Sequence, residues 1–175
     1  MANPIDILAA KTKGFEKSME AHRDGLIGVF RTLAKQHGEA SALIDRIKND
    51  AGKRESLWPK LRVALMAHEH GELDAVYPAL ERYHALKPLA QQHGEEAKQL
   101  EATIQRLDSM TIDSDEWGSV FGTLADMITS HVAEEENEIF PVSLNAIGTD
   151  RANDLDTAFK AAHKKAEADA ERTTH

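Results

Sequence analysis

His68-Glu69-His70-Gly71-Glu72, closed by Tyr77-Pro78, returns as His131-Val132-Ala133-Glu134-Glu135, closed by Phe140-Pro141. In both copies a histidine precedes a glutamate by four residues. On a helix, residues i and i+4 project from one face, one above the other. Each copy therefore offers an imidazole and a carboxylate to the same point. Two such offers in one small domain point to a metal site, and to one that holds two ions. A smaller repeat precedes each copy: Gln36-His37-Gly38-Glu39 and Gln92-His93-Gly94-Glu95. The short repeats lie 56 residues apart and the longer ones 63, a mismatch that a loop-length difference explains.

Four stretches around these motifs carry apolar residues at alternating three- and four-residue steps, the stripe of a helix facing a bundle core. The first reads Leu26, Phe30, Leu33, His37, Ala40, Ile44, Ile47, and the second Leu61, Leu65, His68, Glu72, Val76, Leu80. The third reads Leu86, Leu89, His93, Ala97, Leu100, Ile104, Leu107, and the fourth Phe121, Leu124, Ile128, His131, Glu135, Ile139, Val142. In every helix the repeated His or Glu takes a slot the pattern would give to Leu. Breaks fall between them. Asn49-Asp50-Ala51-Gly52 ends the first, Pro59 and Pro88 suit the first turns of the second and third, and Asp113 with Glu116 reads as a capping pair for the fourth. The prolines at 78 and 141 should loosen their helices one turn earlier.

In an antiparallel hairpin, residues equidistant from the turn share one height. His37 lies 15 residues before Gly52 and His68 lies 16 after it; His93 and His131 lie 19 either side of Ile112. Glu72 and His93 straddle a turn near Arg82-Tyr83. All six side chains come out on one level, facing inward. The fold expected is an all-α, up-down-up-down four-helix bundle, with an N-terminal helical extension and a short C-terminal helix. The boundaries expected are an arm over 1–25, the bundle over 26–147 and a C-terminal helix or tail over 148–175.

Composition narrows the function. With 21 basic and 30 acidic residues the formal charge is -9, which argues against nucleic acid as the main partner, since phosphate binding needs clustered Lys and Arg. No apolar run approaches the roughly 18 residues that span a bilayer, and Met1-Ala2-Asn3-Pro4 opens no signal peptide. The chain has no cysteine, which excludes disulfides, thiolate ligands and thiol nucleophiles. A cytoplasmic location is the expectation, with no membrane partner.

Imidazoles and carboxylates in an apolar core are costly unless hydrogen-bonded, paired or bound to a cation. A closed hydrogen-bonded network is the competing reading, disfavoured because the motif is repeated and no buried Lys or Arg balances the carboxylates. Neutral imidazoles with carboxylates suit Fe, Zn, Mn or Cu rather than Ca or Mg. Six ligands exceed one tetrahedral zinc; two metals bridged by Glu72 and Glu135, each with two imidazoles, would use all six. Of the two Glu-x-x-His motifs of the ferritin-like pattern only Glu81-Arg82-Tyr83-His84 occurs, and the His-Glu-x-x-His of a zincin is absent.

His37, His68-x3-Glu72, His93 and His131-x3-Glu135, one step per helix, resemble the hemerythrin HHE cation-binding domain, over roughly residues 26 to 147. The resemblance implies a non-haem di-iron centre: two Fe ions, Fe2+ or Fe3+, bridged by carboxylates and by an oxo or hydroxo group. One departure stands out. The oxygen carriers of this family supply two histidines four residues apart on the third helix, whereas here His93 is followed by Ala97. The loss of an imidazole shifts the expectation from oxygen transport to reactivity or sensing, and Glu69, 100° round the helix from His68, is a candidate replacement. The function expected is binding or reduction of a small ligand (O2, peroxide such as H2O2, or nitric oxide) with an electron donor. Iron storage, sensing or donation is the alternative, as is a di-iron oxygenase or oxidase acting on an organic substrate.

Phe15, Met19, His22 and Leu26 continue the first stripe if that helix is unbroken; Gly25 and Gly28 could instead fold residues 1 to 24 over the bundle as an arm or lid. His22 is read as a packing residue rather than a ligand. His70 should be exposed, and His84, His163 and His175 should face solvent or cap helices. Residues 151 to 171 form an amphipathic helix carrying Leu155, Phe159 and Ala162, expected on the outside. Trp58 and Trp117 are read as core residues near the bundle ends, and Tyr77 as a possible hydrogen-bond donor near the site.

Overall fold

A computed structural model describes residues 2–173. Helix α1 spans Pro4–Arg23, α2 Gly28–Asn49, α3 Arg54–Gly71, α4 Tyr77–Leu80, α5 Lys87–Asp108, α6 Asp115–Glu134 and α7 Phe140–Arg172. Two five-residue π-helical turns, Glu72–Val76 and Glu135–Ile139, join α3 to α4 and α6 to α7. Among the described residues there is no strand, and no helix is long and apolar enough to cross a membrane.

The bundle consists of α2, the run α3–α4, α5, and α6 with the first turns of α7. Its core is split into two apolar clusters. One holds Ile47, Leu57, Trp58, Leu61, Ile104, Leu107 and Trp117; the other holds Phe30, Leu33, Val76, Leu80, Leu86 and Phe140. Every bundle helix passes from one cluster to the other through its His or Glu, and successive helices do so in opposite directions. This is the up-down-up-down order, with a polar layer across the middle. Trp58 and Trp117 meet edge-to-face at 5.5 Å between centroids inside the first cluster.

Local chemistry sets several boundaries. The N-cap of α6 is Ser114, whose side chain accepts from the Trp117 amide at 3.0 Å, rather than the expected Asp113 pair; a hydroxyl one residue nearer the helix reaches the free amide directly. Pro59 lies inside α3 because a 3-10 turn at Ala51–Lys53 starts the helix early. Pro78 and Pro141 each lie two residues after a π turn. Proline has no N–H to donate into the preceding turn, and the widened turn takes up the missing hydrogen bond.

The first helix takes the arm that Gly25 and Gly28 allow, and the terminal helices differ from expectation in which faces they bury. Gly25 (φ 83°) and Gly28 (φ 54°) break the chain after α1, which then runs back antiparallel along α2. The two helices approach closely where Gly14 meets Glu39 and Gly38 meets the Lys13 carbonyl: a Cβ at either would lie 2.4 to 2.8 Å from those atoms. The docked face of α1 is therefore Asp6, Ala10, Gly14 and Ala21. Asp6, buried, is held by Arg46 and by Lys53 at 2.8 Å. The expected stripe points the other way: Phe15 and Met19 are exposed, and so is His22, which neither packs nor approaches the metal-ligand candidates.

Gly148 (φ 78°) interrupts α7, and the rest of the helix returns along α3. Thr32 donates to Asp156 at 2.6 Å, Phe159 lies against Gly71, and Arg62 donates to the Ala170 carbonyl at 3.1 Å. Phe159 is fully buried, so this helix completes the core rather than decorating its outside, although Ala162 is only half-buried. Phe159→Ala should cost about 3–5 kcal/mol of stability, measured as a lowered denaturant midpoint with an unchanged slope. The expectation for His175 lies outside the described residues.

Candidate metal centre

The polar layer gathers His37 from α2, His68 and Glu69 from α3, Glu72 at the first π turn, His93 from α5, and His131 and Glu135 at the α6 end. All seven are buried. Their ligand atoms fall into two groups, each drawn within 4.8 Å: His37, His68 and Glu135 in one, Glu69, Glu72, His93 and His131 in the other. Glu135 spans both, because its Oε2 lies 3.1 Å from His37 Nε2 and 3.5 Å from His131 Nε2. Glu72 does the same from the opposite side, its Oε2 being 3.3 Å from His68 Nε2 and 3.6 Å from His93 Nε2. Glu69 serves the second group alone, 3.6 Å from His131 and 3.8 Å from His93. That is the side on which Ala97 leaves an imidazole short.

Three of the four imidazoles are oriented from behind. His37 Nδ1 donates to Glu136 at 3.0 Å, His68 Nδ1 to Gln36 at 2.8 Å, and His131 Nδ1 to Glu96 at 3.2 Å. Each acceptor is a carboxylate or amide oxygen, so Nδ1 holds a proton and Nε2 faces the centre, bare on the neutral ring as metal ligation needs. Lys17, from α1, donates to Glu136 at 2.9 Å and extends the chain of contacts to the arm. His93 has no such partner and is held by stacking on Tyr77, with centroids 3.6 Å apart. The Tyr77 hydroxyl donates to Glu135 Oε1 at 2.6 Å, which fixes the carboxylate with Oε2 turned toward His37 and His131. Phe140, the equivalent residue after the second motif, stacks on His37 at 5.9 Å.

Seven buried polar atoms here have no hydrogen-bond partner: Glu69 Oε2, both Glu72 oxygens, both His93 ring nitrogens, His131 Nε2 and Glu135 Oε2. Native cores satisfy buried polar atoms, and so many orphans at one point mark where a cation belongs. A closed hydrogen-bonded network would not leave them. The donor set of imidazoles and carboxylates with no buried Lys or Arg among them fits a pair of divalent first-row metals.

The electrostatics agree. Burial, reinforced by Glu135 and Glu69, raises Glu72 well above the usual carboxylate range, and burial pushes Glu69 up to about 7. Burial opposes charge on His37, yet the neighbouring carboxylates of Glu135 and Glu136 outweigh it and raise the imidazole to about 9. Burial lowers His93 to about 4, and burial with the charge on His37 lowers His68 well below the usual range. Burial also acts against the charge on Glu135, but His131 and His37 hold it below the usual carboxylate range. Protons thus stand in for cations while the metals are absent. Metal must displace them, so affinity should rise with pH. The His37 proton contributes about tenfold per pH unit below about pH 9, the raised Glu72 adds to this, and the dependence should steepen below about 7, where Glu69 also holds its proton. Competition titrations with a chelator between pH 6 and 9 measure this.

The layer opens on one side into a cavity of about 220 Å³. Its walls are mainly apolar, with Ile7, Leu43, Leu65, Ile128 and Val132 among them, and its inner end is formed by His37, His68, Glu69 and His131. Ile7, Ala10 and Lys11 of α1 and His163 and Glu167 of α7 close its outer side. His163 is therefore half-buried in a cavity wall rather than a solvent-facing or capping residue, and burial lowers its pKa.

The structure brings together all six ligand candidates and Glu69. His70 and His84 stand apart, half-buried and exposed respectively. Sequence reasoning missed Gln36, Glu96 and Glu136 as supports of the histidines, and Lys17 behind them. Gln36 carried a signal, as the first residue of the repeated Gln-His-Gly-Glu; its counterpart Gln92 instead donates to Glu96 and Glu134.

The model of the hemerythrin HHE cation-binding domain matches residues 28–143. A protein named DNA nickase from Nostoc sp. (strain PCC 7120 / SAG 25.82 / UTEX 2576) is 22% identical over 135 residues, covering 76% of this chain and 38% of that protein. The chain thus spans well under half the length of that relative. No solved structure matches it.

Proposed function

We infer the function from one premise: the chain belongs to the hemerythrin HHE cation-binding domain family. We propose that it is a non-haem di-iron protein. His37 and His68 hold one iron, His93, His131 and Glu69 hold the other, and Glu72 and Glu135 bridge them. The observation that carries this is the position of those two carboxylates, each within 3.6 Å of imidazoles from both groups. Iron held by these residues would supply the electrons to bind or reduce O2, peroxide or nitric oxide, with an external electron donor restoring Fe2+. The protein's own part is to orient and to exclude water. Tyr77 keeps its proton, because burial raises its phenol well above the usual range, and so it holds Glu135 in place throughout. Gln36, Glu96 and Glu136 hold three ring orientations, and the apolar walls admit small uncharged molecules. The excess of acidic over basic residues supports no nucleic-acid partner, and the nickase name stays with the longer relative.

The test is an absorption spectrum of the protein loaded anaerobically with Fe2+ and then exposed to O2, peroxide or nitric oxide. New visible or near-ultraviolet bands that azide perturbs support the reading. A spectrum indifferent to all four, at two irons per chain, overturns the small-ligand chemistry and leaves iron handling.

The cavity favours a second reading, oxidation of a small organic substrate. Its volume is several times the roughly 30 Å³ that one water occupies in the liquid, far more than a diatomic ligand needs. Leu43→Trp should fill it, leaving metal content and the O2 response in place while abolishing any spectral shift caused by 4-cresol. If 4-cresol at millimolar concentration leaves the wild-type spectrum unchanged, the second reading falls and the first stands.

A further inference from the structure

Helix α1 has two faces, and only one of them is used. Asp6, Ala10, Gly14 and Ala21 dock on α2. On the opposite side, at steps of three and four residues, lie Ile5, Leu8, Thr12, Phe15 and Met19. Ile5, Leu8 and Phe15 are 67, 66 and 63% exposed, and Met19 is 39% exposed. Single exposed apolar residues need no explanation, but a continuous row of them marks an interaction surface. Thr12 fits the row because its hydroxyl is taken up within the helix, donating to the Leu8 carbonyl at 3.0 Å, and so asks for no partner across the seam.

The 3-4 spacing is that of a coiled-coil seam, with Ile5, Thr12 and Met19 at a positions and Leu8 and Phe15 at d positions. The flanking residues identify the occupant. In a parallel pair, a g residue meets the e residue five places further along the partner strand. Here those residues are Lys11 and Glu16, opposite in charge, and the dyad makes the pair twice. Within the chain Lys11 makes no ion pair among the described residues, and Glu16 makes one weak contact, to Lys13 at 3.9 Å. Antiparallel pairing of the same seam would bring Lys11 toward its own copy. A lone helix of this length would be a marginal coiled-coil strand. Helix α1 is already held straight by α2 and by the buried Asp6 with Arg46 and Lys53, so association need not order it.

We propose that α1 is the interface of a parallel homodimer, with the two bundles on opposite sides of the paired helices. This stands on packing alone and does not depend on the metal centre. Light scattering on the full chain should give twice the 19.3 kDa of one copy at tens of micromolar. Leu8→Glu with Phe15→Glu should return it to one copy with helix content and melting temperature kept, since both side chains are exposed. Lys11→Glu should weaken the dimer about tenfold, from two attractive pairs made repulsive, and Lys11→Glu with Glu16→Lys should restore it. Because the chain has no cysteine, Met19→Cys gives a clean probe of direction: a disulfide-linked dimer forms readily only if the strands run parallel.

A monomer at every concentration overturns the proposal, and so does a dimer indifferent to the Leu8 and Phe15 changes. A dimer strengthened by Lys11→Glu, or one that Met19→Cys fails to link, overturns the parallel register. A monomer that floats with phosphatidylglycerol vesicles overturns it in favour of a lipid surface.

Discussion

Glu135→Ala is expected to take the protein from two bound metals per chain to fewer than one. No other candidate ligand reaches as many imidazoles. Its Oε2 faces His37 and His131, and its Oε1 lies 3.6 Å from His93 Nδ1, so the substitution strips a ligand from both ions at once. It also removes the only carboxylate that holds its charge below the usual range within the layer, leaving raised, proton-holding Glu69 and Glu72 as the remaining acids. Glu69→Gln is the matched control. Glu69 approaches only His93 and His131, so this variant should keep the ion on His37 and His68 and lose the other, giving one metal per chain. Elemental analysis after anaerobic loading and desalting reads both. Equal losses in the two variants would mean that the carboxylates are not divided between bridging and terminal roles as the geometry implies.

Metal should also be the largest single contributor to stability. Without it, seven buried polar atoms lie unpartnered between two apolar clusters, and each such atom costs on the order of 1–3 kcal/mol. A ligand bound a thousandfold above its Kd stabilises by about 4 kcal/mol. For a chain of this length that is a rise of about 10 °C in melting temperature. Calorimetry of metal-free and loaded protein at pH 8 should show a shift of at least that size, and Glu135→Ala should show none. A loaded protein that melts with the metal-free one would mean the layer is satisfied by its own protons.

The ligand layer was legible in the sequence because two independent periodicities agree there. His68 and Glu72 share a helical face, and their distances from the turns put them level with His37, His93 and His131. Burial then forces such groups together. The supports behind the ring nitrogens were not legible. Glu136 sits in an acidic run, Glu134-Glu135-Glu136, which reads as a solvated face, and nothing local separates the residue facing the metals from the one behind His37. Helix α1 forms the arm that Gly25 and Gly28 allow, but its docked face was not legible, for a different reason. Periodicity shows that Phe15 and Met19 share a face but not which face docks. Packing on α2 is decided instead by two glycines, Gly14 against the Lys35 carbonyl and Gly38 against the Lys13 carbonyl, which let the backbones approach. The place of Phe159 was not legible because a short amphipathic segment after Gly148 looks alike whether it covers the bundle or floats beside it; the bare Gly71, three residues after His68 and against the Phe159 ring, is what receives it.

The central claim is that this layer holds two metals through seven side chains. Its most direct test is the metal content of the full chain after anaerobic loading with Fe2+ and removal of excess ion. Two irons per chain, falling to one in Glu69→Gln, is the result expected. Fewer than one iron per chain in the unaltered protein contradicts it.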